Sequence, residues 1–190
     1  MPRKKKVRRK PEPVYTHLAV RLDRYDIDAG VSVSYLLERP DLAFHDADDD
    51  PVFEHVTRLV LTGSATYPPK RAGERFELTI RGDDGPSTRV GLKLREMQLR
   101  DENRVPRYRE YRGQSYPVYR PVPGIATMSR GGKELPWTAW INLAPRLVSD
   151  MLVLLGMGER LYLSVLESRQ GRDRWIRQLA LQTINPASEE

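Results

Sequence analysis

The residues best suited to chemistry fall in one stretch, RVPRYREYRGQSYPVYR at 104–120, where five Arg and four Tyr stand against the single acid Glu110. A guanidinium fork grips phosphate oxygens in a fixed geometry, and a Tyr ring offers a face on which an unpaired base can stack. Arg107, Tyr108, Arg109, Tyr111 and Arg112 are therefore the candidate contacts for a single-stranded nucleic acid or, equally in residue type, for a protein partner, since Tyr and Arg also anchor protein interfaces. Their order limits what they can do together. On a strand, 108, 110 and 112 share one face while 109 and 111 share the other, so each face receives one Tyr and one Arg, and half the set is expected to pack inward. An edge strand with packed rings and wet Arg side chains is the plainer alternative.

A second basic segment opens the chain. MPRKKKVRRKPEP places seven of the 32 basic residues between positions 3 and 10, among them Lys4, Lys5, Lys6, Arg8 and Arg9, which are candidate polyanion contacts. Without those seven, 25 basic residues face 26 acidic ones, so the net charge of +6 belongs to this segment and says nothing about a basic surface elsewhere. Residues 1–13 have no apolar periodicity to offset the entropy of ordering and are read as a disordered tail. Its composition suits a nucleic-acid arm, a solubilising extension or, in a eukaryotic host, a nuclear import signal.

Catalytic patterns are weak. His17, His45 and His55 are the only side chains of a type suited to general acid–base work at neutral pH; alternation puts His17 on the polar face of a strand. Ser64 in LTGSATY lacks the second Gly of a nucleophile elbow, and the Gly pair before Lys133 in SRGGKELPW lacks phosphate-loop spacing and reads as a hairpin loop. PDLAFHDADDDPVFEH at 40–55 has six acids and no Lys or Arg, yet it places Pro51 next after the alternating carboxylates and has no closing Glu of a calcium loop. It reads as a solvated acidic loop, with a basic partner as the other option. With no cysteine, thiolate chemistry, cysteine metal sites and disulfides are excluded, which suits a reducing compartment. No metal and no cofactor are expected.

The elements that must position these residues are mostly strands. Period-two alternation marks ERFELTIRG (Phe76, Leu78, Ile80) followed, after a turn at 82–86, by Val90, Leu92 and Leu94, which predicts a hairpin. A second hairpin is predicted from Leu161, Leu163 and Val165 through Gln170-Gly171-Arg172-Asp173 to DRWIRQLALQTI. YTHLAVRLD (Leu18, Val20 and Leu22 inward), VSVSYLL, VTRLVLTGSATY and WTAWINL add further strands. One segment differs: Leu147, Val148, Met151, Leu152 and Leu155 recur at helical spacing, with Pro145 in the first turn and Gly156 at the end, predicting a buried helix over about 145–155. Frequent Pro and Gly predict short elements.

The fold expected is mainly β, a single-domain β-sandwich or barrel of eight or nine short strands with one buried helix in the C-terminal half. The expected organisation is a tail at 1–13, one domain at 14–186 and a short acidic terminus at 187–190. The longest apolar run, MLVLLGM at 151–157, falls far short of the roughly 20 residues of a membrane helix, and no signal peptide follows the basic run, so a soluble cytoplasmic protein is expected. Function points to a non-enzymatic binding or accessory module with nucleic acid as the leading partner class. A protein-interaction subunit comes next, and a hydrolytic enzyme with an unrecognised site third.

Overall fold

The computed structural model describes residues 12–33, 53–82, 94–122 and 124–188. The chain is mainly β. Seven strands form one sheet that nearly closes into a barrel: β1 (Val14–Val33), β2 (Phe53–Tyr67), β3 (Arg75–Gly82), β6 (Ala126–Thr127), β7 (Trp137–Leu143), β8 (Tyr162–Gln170) and β9 (Asp173–Gln182). Between β3 and β6 lie a helical turn, α1 (Leu94–Met97), and a separate two-stranded ladder, β4 (Tyr108–Tyr111) with β5 (Gln114–Pro117). Strand order is β6-β9-β8-β1-β2-β3-β7, antiparallel except for β3 with β7. Ser129, just after β6, exchanges backbone hydrogen bonds with Thr138 of β7 at 2.9 and 2.8 Å, which links the two ends of the sheet.

Alternation builds the interior. Leu18 and Val20 of β1, Leu59 and Leu61 of β2, Phe76, Leu78 and Ile80 of β3, Ile141 of β7, Leu163 and Val165 of β8 and Ile176 of β9 are all buried in one cluster. The helix α2 (Pro145–Gly156) follows β7 and adds Val148, Met151 and Leu155 to that cluster. Its first turn carries Pro145, whose missing N–H would have had no helical partner.

The two long strands depart from the expectation of short elements. β1 runs for 20 residues and β2 for 15, and β1 accommodates that length by register shifts at Ala19/Val20 and Leu22/Arg24. The second shift reverses the parity of the strand. Leu18, Val20 and Leu22 point inward before it; after it Tyr25 and Ile27 stand opposite the buried Leu61 and Leu59, and so take the inner face. Asp23 at the shift accepts a hydrogen bond from Ser64 Oγ at 2.8 Å, which gives that serine a structural task. Opposite Leu22, a Cβ on Gly63 would lie 2.3 Å from the Arg21 carbonyl oxygen, so only glycine fits the tight crossing.

Three expectations need correction or limits. The hairpin from β3 to Val90–Leu94 does not form at β3, because β2 occupies one edge of that strand and β7 the other. Leu94 instead sits exposed in α1, while Val90 and Leu92 lie outside the described residues. Leu147, expected inward, is exposed. At 100° per residue Leu147 and Leu152 each lie about 70° from the centre of the Val148, Met151 and Leu155 stripe, on its opposite borders; Leu152 is half-buried. Most of VSVSYLL and of the acidic stretch 40–55 also lies outside the described residues. The β8–β9 hairpin forms as expected, turning through Gly171 with φ +65°.

Candidate nucleic-acid interface

The Arg and Tyr segment forms a small projecting hairpin. Tyr108 pairs with Pro117, Arg109 with Tyr116, Glu110 with Ser115 and Tyr111 with Gln114. The turn between them is Arg112-Gly113, both with positive φ (52° and 75°), the backbone that a two-residue hairpin loop needs to match strand twist. Glycine takes this conformation freely; an arginine there bears a steric cost on the order of 1 kcal/mol. At the base, a third short run braces the ladder: Leu99 N donates to Val118 O at 2.7 Å, Arg107 N to Leu99 O at 2.8 Å and Val118 N to Arg107 O at 2.9 Å.

Neither face of this hairpin is packed into the barrel. Tyr108, Arg109, Glu110 and Tyr111 are exposed in succession, as are Gln114, Ser115 and Tyr116. The expectation that half the set packs inward is thus not met, because the ladder stands outside the seven-stranded sheet rather than at its edge. Cross-strand pairing sorts the residues. Arg109 and Tyr111 share a face with Tyr116, and with Pro117, Val118 and Tyr119 they line a shallow open groove of about 380 Å3. Arg112 at the tip holds its guanidinium carbon 5.3 Å from the centre of the Tyr111 ring, within cation–π range. Tyr108 lies on the opposite face. Arg107 is exposed at the base.

The structure therefore brings together Arg109, Tyr111 and Arg112 and adds Tyr116, which residue order alone did not assign to their face. Lys4, Lys5, Lys6, Arg8 and Arg9 lie outside the described residues, as does His45, and nothing is described of the His55 side chain. His17 is exposed on β1, as alternation implied. The Gly pair of SRGGKELPW is the β6–β7 loop, in which Arg130 Nε donates to Leu135 O at 2.7 Å.

Two further groupings escaped sequence reasoning. Trp140, 69 % exposed on the outer face of β7, lies 5.7 Å from the Arg58 guanidinium carbon. Inside, Glu167 is buried between two arginines: Arg71 Nη1 donates to it at 2.5 Å, and Arg174 Nη1 donates to its other oxygen. Glu74 accepts from Arg71 Nε at 2.8 Å and from Trp137 Nε1 at 2.9 Å. The guanidinium carbons of Arg71, Arg130 and Arg174 all lie within 4.7 to 5.5 Å of the Trp137 ring centre. Every oxygen of Glu167 is thereby matched by a cation, which is the condition for a carboxylate to sit in a barrel interior.

Among the described residues, no helix is long and apolar enough to cross a membrane. Comparison with known proteins finds no matching family model, no significantly similar curated protein and no significantly similar solved structure.

Proposed function

We propose that this protein is a non-enzymatic binding or accessory module that holds single-stranded nucleic acid on the β4–β5 hairpin. In this reading Tyr111 and Tyr116 stack on bases, Arg109 and Arg112 hold phosphates, and the N-terminal Lys4, Lys5, Lys6, Arg8 and Arg9 add sequence-independent attraction. The observation that carries it is the exposure of Tyr111 and Tyr116 beside Arg109 on one face of a ladder that contributes nothing to the barrel core. Rings that served only packing would be expected in the core cluster. A chain without cysteine suits the cytoplasm, where such a module would work.

The test is fluorescence anisotropy of the full chain with a labelled single-stranded oligonucleotide and the matching duplex. The proposal expects the single strand to bind more tightly, and Tyr111→Ala to lose roughly 1 to 3 kcal/mol of that affinity. Equal binding of duplex and single strand, or an unaffected Tyr111→Ala, counts against it. A protein that co-purifies in fixed stoichiometry after nuclease treatment, and no longer does so on the same substitution, would transfer the hairpin to the protein-partner reading.

A further inference from the structure

β1 is a barrel strand for only half its length. β8 pairs with it from Val14 to Arg21, and Leu22 N donates to Leu161 O at 3.0 Å. From Arg24 onward β1 pairs with β2 alone, out to Val33 opposite Phe53. Along that run its other hydrogen-bonding edge has no strand beside it among the described residues.

Such an edge is normally blunted by proline, lysine, an inward-pointing charge, shortness or a bulge. Apart from the bulge at Leu22/Arg24 that precedes it, RYDIDAGV at 24–31 has none of these. It contains no Pro or Lys and spans eight residues, and its charges Arg24, Asp26 and Asp28 share the outer face. The inner face carries Tyr25, Ile27, Ala29 and Val31, and Tyr25, Ile27 and Val31 remain exposed although Tyr25 and Ile27 stand opposite fully buried leucines. Among the described residues no strand covers this apolar half, and Tyr25 Oη donates to Leu155 O of α2 at 3.5 Å.

The charges say which neighbour fits. An antiparallel partner with the same sequence, centred on Asp26, sets Arg24 opposite Asp28 twice and Tyr25 opposite Ile27 twice about a two-fold axis. The one like-charged meeting is Asp26 with Asp26, and each Arg24, bound to its own Asp26 at 2.7 Å, has to bridge that carboxylate and the facing Asp28. The geometry points to a second copy of this chain as the occupant: two β1 edges pair antiparallel over Arg24–Asp28 and continue the sheet across a two-fold interface.

The experiment is sedimentation equilibrium on nuclease-treated full-length protein, with far-UV circular dichroism to confirm folding. Wild type should self-associate in the micromolar range. Arg24→Asp sets carboxylates opposite carboxylates and Asp28→Arg sets guanidinium opposite guanidinium, so each should weaken association by about ten-fold or more. An equimolar mixture of the two restores both opposite-charge pairs and should associate at least as well as wild type. Both side chains are exposed, so both variants should fold; if one does not, Ile27→Lys replaces it and should also yield a monomer. A monomeric wild type at several hundred micromolar, undiminished association of the single variants, or a mixture of folded variants that stays monomeric would overturn the proposal.

Discussion

Arg71 Nη1 and Glu167 Oε2 meet at 2.5 Å across 96 positions of sequence, and the Glu167 side chain is 1 % exposed. Glu167 stands on β8 in the inward phase of Leu163 and Val165, where an apolar residue would be the default. Removing it leaves Arg71 buried with only Glu74 as counter-charge. Glu167→Ala should therefore lower stability by about 3 to 5 kcal/mol, the range for stranding one partner of a buried ion pair. Urea denaturation of the purified variant measures this. A loss below about 1 kcal/mol would mean that the pair is wet and worth no more than a surface bridge.

Helix α2 offers a test of orientation. Leu155 is buried, Leu152 half-buried and Val153 exposed. Leu155→Ala should cost about 2 to 5 kcal/mol, Leu152→Ala less, and Val153→Ala within about 0.5 kcal/mol of nothing. If Leu152→Ala proved costlier than Leu155→Ala in the same denaturation series, the helix would be rotated from the position described.

Much of the barrel was legible because local signals agreed with it. WTAWINL alternates as β7 does, with Ala139, Ile141 and Leu143 buried, and Gly171 marks the β8–β9 turn. What was not legible depends on long-range pairing. Nothing near β3 says that its second edge is taken by β7, some 60 residues later, so the local hairpin with Val90–Leu94 looked sufficient. The parity reversal at Leu22/Arg24 is equally invisible without β2 alongside.

For the candidate site, residue type was readable and arrangement was not. Tyr111 and Arg109 share a face by simple alternation, but Tyr116 joins them only once Arg112-Gly113 is recognised as a two-residue turn. Two signals were present and passed over. Trp140 falls out of phase with its buried neighbours, and Glu167 falls in phase with buried ones.

The N-terminal basic residues should act on binding and not on folding. Deleting residues 1–11 should leave the thermal midpoint unchanged within about 2 °C, since a ΔΔG of 1 kcal/mol would already move it by roughly 2 to 4 °C in a chain of this size. The same deletion should lower affinity for a single-stranded oligonucleotide and remove at most about five units from the slope of log affinity against log salt, at about 0.7 for each phosphate no longer neutralised. Anisotropy titrations across a salt series check the second part. An unchanged slope would assign the segment a role other than binding.

The salt dependence of single-strand binding by three hairpin variants tests the account most directly. Arg112→Asn keeps a residue that accepts positive φ, so the turn should be retained or slightly stabilised while a charge is removed. Arg112→Asn and Arg109→Ala should each reduce the slope of log affinity against log salt by about 0.7. Tyr111→Ala should weaken binding with the slope unaltered. Slopes and affinities that match wild type in all three folded variants would contradict the assignment of the β4–β5 hairpin as the nucleic-acid contact.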